Sequence, residues 1–507
     1  MSLKRNLYTA FCLTFIAVMI LTFSACFSPW LDGDGEGAET STGTTGKVTI
    51  SLGDVELLPS VIQNRLKFKA ELNIYNAESV SIAKESYESD KLIPFEMSIK
   101  PGDWWIDIKV FFKEDNTDIY AFTSEEVKAT VKVDENTTAN LTLQHRYKRI
   151  NNRADLETVS SNLSGSYILG ASFDLGSPNW VPIGSDGTRF EGTFDGNGYE
   201  ISKLYMSTGH NDSGLFGVIG ASASVRNLGL KEVDIAANLA GGNRAGGLAG
   251  TNRGVIQNCF VTGSRVDGNV AGGLVGENRS TVRNSYAAIN INSSTGGGLV
   301  GLNESSGGVL NTYATGNVTS SANAGGLVGI NKGAVQNSYA TGNVTGSILY
   351  FGGGLVGENN NGLVQNSYAT GNVIGSTPGS SGGGLVGINS LGTVRNCVAL
   401  NNSISAFTNL GRVGNGGTGF SNNHGRSPHS LPTTSNLNAK DGLDLVEGNW
   451  YNPSWWGAAG SWNTTDPAFP WRFGANDPWN PPNSTTSILP TLRNMPTGTQ
   501  TPKVPGV

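Results

Sequence analysis

Hydrophobic and polar residues alternate over the first third of the chain. Val48, Ile50 and Leu52 alternate with polar neighbours, as do Leu66, Phe68, Ala70, Leu72 and Ile74. Ile106, Ile108 and Val110 follow a Pro101-Gly102 turn, and Val127, Ala129, Val131 and Val133 lead on to Ala139, Leu141 and Leu143. A period of two sends successive side chains to opposite faces of a strand. Short runs of this kind with turn signals between them predict an antiparallel β-sandwich over 47–145. Lys67, Lys69, Glu71, Lys128 and Lys132 occupy the complementary positions, as on a solvated face.

Further along, the alternation gives way to a repeated word. GLFG starts at Gly214, GLAG at Gly247, and GLVG at Gly273, Gly298, Gly326, Gly354 and Gly384, at intervals of 33, 26, 25, 28, 28 and 30 residues. Self-similarity at such a period predicts a solenoid. Each unit continues with an Asn, a turn and V-x-N-S-Y-A-T-G-N-V or a variant. Asparagine recurs at Asn278, Asn303, Asn331, Asn359 and Asn389, and again at Asn284, Asn311, Asn337, Asn366 and Asn396. Stacked rung on rung, Asn can bond to its own image above and below and can fill turns. Abundant Gly and β-branched residues oppose helix. Between Gly296 and Gly425 the charged residues are Glu304, Lys332, Glu358, Arg395 and Arg412. In-register stacking accounts for this sparseness, because like charges in one column would repel about 4.8 Å apart.

Several motifs suggest chemistry, and the repeat context reinterprets them. Gly352, Gly354 and Gly357 satisfy G-x-G-x-x-G, the spacing of a dinucleotide turn, but the same word returns at Gly296–Gly301 and Gly382–Gly387 and is followed by Asn and β-formers instead of a helix. It reads as a solenoid turn. Zinc peptidase chemistry would need H-E-x-x-H, and none of His145, His210, His424 and His429 is followed by Glu. Gly379-Ser380-Ser381-Gly382-Gly383 matches G-x-S-x-G but sits in an inter-coil loop without an elbow's helix. Asp174, Asp186, Glu191, Asp195 and Asp212 form the acid-dense stretch, where paired carboxylates would support glycoside chemistry; FDGNG reads more simply as a tight turn. No metal or cofactor is expected.

Aromatic residues are the better binding candidates. Tyr286, Tyr313, Tyr339 and Tyr368 share one repeat slot, with Phe260 in an adjacent rung, and form a ladder that either packs inward or offers an outward platform for sugars or a partner. Six of the ten Trp (Trp450, Trp455, Trp456, Trp462, Trp471 and Trp479) fall in the last 60 residues. A solenoid must cover its last rung, and Trp with Pro-rich loops suits such a cap; Trp455, Trp456 and Trp471 remain candidates for stacking on glycans.

The N-terminus sets the compartment. Lys4 and Arg5 precede an apolar run, Phe11 to Phe23, and Ser24-Ala25-Cys26, the pattern of a secretory signal. The small residues before Cys26 resemble a bacterial lipobox, which implies that Cys26 carries the lipid; Phe23 stands where Leu is usual. Residues 27–46 read as a flexible tether. Cys259 and Cys397 remain beyond the leader, both in one repeat slot, and read as small buried residues. The net charge of −6, or −8 without Lys4 and Arg5, gives no electrostatic footprint for nucleic acid or anionic lipid.

GGLVGINKGAVQNSYATGNV, from Gly325, resembles the repeat unit of the GLUG family at nearly every position. NW-x-PIG at Asn179–Gly184 and F-x-GTFDGNG at Phe190–Gly198 look like the coils that precede such repeats, and FPWRFGANDPWN with ILPTLRNMP resembles the family's closing element. The resemblance implies an all-β chain whose main body is a right-handed parallel β-helix. It also implies a display or binding role in secreted and cell-surface proteins, including non-catalytic parts of immunoglobulin A-specific metallopeptidases. The expected organisation is a signal with lipidation Cys26 (1–26), tether (27–46), immunoglobulin-like or transthyretin-like sandwich (47–145), lead-in coils (146–210), GLUG repeats (211–430) and Trp-rich cap (431–507). The expected function is that of a non-catalytic, monomeric envelope lipoprotein, at the cell surface or outer membrane, binding a glycan or an extracellular protein. The alternatives are a carbohydrate-active β-helix enzyme and a structural spacer.

Overall fold

In the computed structural model the described residues are 46–52, most of 67–145 and, with short gaps of which 428–439 and 463–470 are the longest, 147–505. The signal segment, Cys26, nearly all of the tether and His429 lie outside them.

Alternation becomes strand as expected in the first third. Lys67–Asn76 pairs antiparallel with Ser81–Ser89 and with Gly102–Glu114 in a six-stranded sheet, and Leu72, Ile74, Ile106 and Ile108 are fully buried. A second sheet has three strands. In it Gly46–Leu52 pairs antiparallel with Phe95–Ile99 but parallel with Asn136–Leu141, so this part is not purely antiparallel.

From Lys148 onward the strands stack as a parallel solenoid of about nine turns. Three sheets of 11, 7 and 21 short strands form its walls, and nearly all of their pairings are parallel and in register. Each wall contributes an inward column, and the third wall a second one through Val266, Ile291, Val318, Val344 and Val373. Val225, Ile256, Val282, Val309, Val335, Val364 and Val394 line the first, and Phe216, Ala249, Val275, Val300, Val328, Val356 and Val386 the second. The third wall contributes Val261, Ala287, Ala314, Ala340 and Ala369. All are fully buried in one core. The first Leu of each repeated word, from Leu215 to Leu385, joins them, which is why the word needs two adjacent apolar residues.

The N-terminal mouth is covered by an element the β-pattern does not announce. Asn152 caps the helix Arg153–Glu157 by accepting from the Asp155 N–H, and the Asp155 carboxylate accepts from the Asn151 N–H. This reciprocal cap turns Leu156 and Val159 into the solenoid core.

Candidate functional site

Asparagine and glycine divide the turn chemistry of each rung. Asn197, Asn227, Asn258, Asn284, Asn311, Asn337, Asn366, Asn396 and Asn422 adopt left-handed backbone, φ 49° to 56°. Asn tolerates this region because its short side chain bonds locally. The glycines of the repeated word mostly serve another purpose. A Cβ on Gly354 would lie 2.2 Å from the Gly384 carbonyl oxygen of the next rung, and one on Gly357 2.6 Å from that of Gly329. These glycines permit backbones to touch, and strands Val356–Asn360 and Leu363–Gln365 follow where a phosphate cradle would need a helix.

The other asparagine column is buried. Asn252, Asn278, Asn303, Asn331, Asn359 and Asn389 form a continuous ladder in which each amide donates to the next Oδ1 at 2.8 to 2.9 Å. A third column, not singled out from the sequence, runs through Asn290, Asn317, Asn343 and Asn372: each side-chain oxygen accepts a backbone N–H from the following rung. Its signal was the last Asn of the YATGNV word.

Cys259 and Cys397 sit in the same slot as Ser285, Ser338 and Ser367, fully buried and unpaired with each other. Burial pushes both thiols up to about 12.

The carboxylates of the lead-in coils are engaged. Asp195 is buried against Arg226 at 2.8 Å and also accepts from the Asn197 backbone and the Asn227 amide. Asp212 takes two bonds from Arg244, at 2.8 and 3.1 Å, and one from Thr251; Arg244 continues to Glu277. Glu191 accepts from both the backbone and hydroxyl of Ser222, Asp186 meets Arg189 and Arg253, and Asp174 meets Lys203. Ser381 is buried at the start of the strand Ser381–Gly383 and accepts from Asn415, with no helix after it. Among the described residues no group of three His, Cys, Asp or Glu side chains could hold a metal.

Of the two orientations expected for the tyrosine ladder, neither occurs as stated. Ala287, Ala314, Ala340 and Ala369 point into the core, so their neighbours Tyr286, Tyr313, Tyr339 and Tyr368 point out. The rings stack at 4.7 to 4.9 Å within 4° of parallel, with Phe260 continuing the column at 5.1 Å. Gly229 leaves room for the Phe260 ring at the head of the column. Yet the four tyrosines are only 0 to 6% exposed.

The C-terminal chain supplies much of the cover. Tyr368 donates to the Pro490 carbonyl at 2.8 Å, the Tyr339 hydroxyl meets Gln500 at 3.1 Å, and Trp471 donates to the Asn396 carbonyl of the solenoid. Trp456, Trp471 and Trp479 surround the Tyr368 ring. The C-terminal segment pairs with the last rung through Leu443–Val446 and also turns back along the wall, as far as the rung of Tyr339. Three short helical turns organise it. Trp450, Trp456 and Trp462, six residues apart, form a chain in which each indole N–H donates to a carbonyl, those of Trp456 and Trp462 to the preceding Trp. Trp455 is half-buried, edge-on to His424 and Trp456. Tyr286, Tyr313, Tyr339, Tyr368, Trp456 and Trp471, stacked and buried in this way, present no open face to a sugar.

His424 lies in the tyrosine column, fully buried against Trp455 and Trp462, and burial with the Arg412 charge holds its pKa down at about 4. Arg412 itself clamps the final rung. It donates to the carbonyls of Asp441, Gly442 and Arg426 and to the Asp444 carboxylate.

The GLUG motif matches residues 320–345, about the length of one rung. A Gly-rich membrane protein of Evansella cellulosilytica is 46% identical over 94 residues, 18% of this chain and 11% of that protein. Halomucin of Haloquadratum walsbyi is 29% identical over 163 residues, 31% of this chain and 2% of that protein. The chain thus spans a small part of the length of these curated relatives. A solved IgA1 protease structure overlaps 75% of this chain and 30% of its own, with 17% identity and a TM-score of 0.38.

Proposed function

We propose that this GLUG-motif solenoid is an exported envelope protein, held by a lipid on Cys26, that displays its β-helix as a non-catalytic surface for binding a glycan or an extracellular protein. In this reading the two N-terminal sheets form the sandwich spacer that lifts the solenoid from the membrane. The relatives named as a membrane protein and a halomucin support an envelope location. The observation that carries the non-catalytic reading is the state of the carboxylates: the five acids of the lead-in coils are all committed to ion pairs or hydrogen bonds between rungs. A carboxylate fixed by a buried Arg, as Asp195 is by Arg226, serves the rung.

The test is a panel of polysaccharides and extracellular-matrix proteins incubated with the full chain, with both retention and released products measured. Saturable retention without new reducing ends or peptide fragments is expected. Released oligosaccharides would overturn the non-catalytic reading, and retention by nothing would replace binding with a spacer role.

A further inference from the structure

The sealed tyrosine ladder leaves another part of the same wall open. Among the residues from 147 on whose burial is described, Tyr205 is the most exposed aromatic side chain, at 45%. It heads an outward column. Tyr205 pairs with Asp234, Asp234 with Arg265 and Arg265 with Asn290, and Asn317 of the next rung donates its backbone N–H to the Asn290 side chain. A second outward column runs beside it from Asp267 through Asn292 to Thr319. Between them lies an open groove of about 470 Å³.

The chemistry of this groove is specific in three respects. Arg265 is bonded to Asp234 at 2.8 Å and to Asp267 at 3.2 Å, so its positive charge is already met by two carboxylates and offers little to an anion. The remaining polar side chains are the amides of Asn290, Asn292 and Asn317 and the hydroxyls of Ser264 and Thr319, which both donate and accept, as the hydroxyls of a sugar do. Tyr205 does not line the groove but stands two rungs along the same column, where its apolar ring with a polar tip is able to stack on the apolar face of a pyranose. Each column places one outward polar side chain about every 4.8 Å along the axis, Asp234, Arg265 and Asn290 in one and Asp267, Asn292 and Thr319 in the other, so a linear polymer lying along the wall would meet a polar partner in every rung.

We infer that the wall from Tyr205 to Thr319 is a binding site for a neutral polysaccharide chain lying along the solenoid axis, with Tyr205 as the stacking platform and Arg265, Asp267, Asn290 and Asn292 as the hydroxyl partners. The inference rests on the binding reading above and places its ligand away from the tyrosine and tryptophan clusters.

The experiment is affinity electrophoresis of the full chain through gels containing mannan, soluble β-glucan or polygalacturonate, with Tyr205→Ala and Arg265→Ala run beside it. At least one neutral polymer retards the wild type and the acidic polymer does not. Each substitution weakens retardation about ten-fold or more while the unfolding midpoint stays put. Tyr205→Ala keeps the test decisive if Arg265→Ala is unstable, because the exposed ring fills no part of the core. Wild-type retardation in Tyr205→Ala would overturn this site and leave the binding reading intact. Preference for polygalacturonate would overturn the neutral class. No retardation in any gel, together with retention on a matrix protein, would overturn the polysaccharide and keep the display role; no retention on anything would sink both.

Discussion

Asn331 shows what a single repeated residue does. Its amide donates to Asn359, its oxygen accepts from Asn303, and it is wholly buried. Removing it orphans polar groups on the rungs above and below, and each buried unmade bond costs about 1 to 3 kcal/mol. Asn331→Ala therefore lowers stability by about 2 kcal/mol or more in denaturant unfolding. Lys332→Ala, one residue away in a half-buried, solvent-accessible ion pair with Glu304, changes it by less, about 1 kcal/mol. The ladder was legible because Asn recurred at fixed spacing in a context with no helical period. The division of labour between Asn and Gly was not. Glycine signals either a left-handed turn or a close approach, and only the position of the neighbouring rung decides which. At Gly354 and Gly357 the next backbone is the reason, while the left-handed turn falls to Asn366.

At the scale of elements, the C-terminal segment and the tyrosine wall form one joint, and His424 lies within it. The folded state favours its neutral ring, with a pKa of about 4 against an ordinary 6.5. The unfolded state therefore binds the proton first. Stability is fully present above pH 6.5 and is lost as pH falls towards 4, by up to about 3 kcal/mol. The groups around the ring are Trp455, Trp462, the Ser461 backbone and the Arg412 charge; the hydrogen bond with the Ser461 backbone favours the imidazolium, but burial and the Arg412 charge outweigh it. Unfolding midpoints measured from pH 7 to pH 4 should fall more steeply in the wild type than in His424→Gln. Equal slopes would remove the histidine from the joint. Sequence reasoning placed the Trp cluster at the end of the rod because an unpaired edge demands cover. It could not see that the wall demanded more: whether an outward Tyr column is covered depends on residues more than a hundred positions away, such as Pro490 and Gln500. The six-residue spacing of Trp450, Trp456 and Trp462 was a local signal of the three helical turns, but it resembled no strand or helix period.

For the whole molecule, the parallel solenoid and its core were readable from the repeat, since one rung explains all the others. Sites were less readable, because repetition hides the few positions where a column changes character. The carboxylates looked like a cluster by sequence density; rung geometry pairs Asp195 with Arg226 and Asp212 with Arg244 instead. Tyr205 lies outside the repeated word and belonged to no motif, yet it is the exposed ring. Where the C-terminal chain seals the tyrosine column, binding falls to the polar wall beyond it. Hydrogen exchange of the full chain tests this most directly. Amides of the paired stretches Trp479–Asn480 and Thr491–Leu492 and of Leu489, bonded to Pro502, should be protected together with the rungs carrying Tyr339 and Tyr368. Exchange of those C-terminal amides at unstructured rates, with the rungs still protected, would leave the tyrosine ladder open and contradict the account.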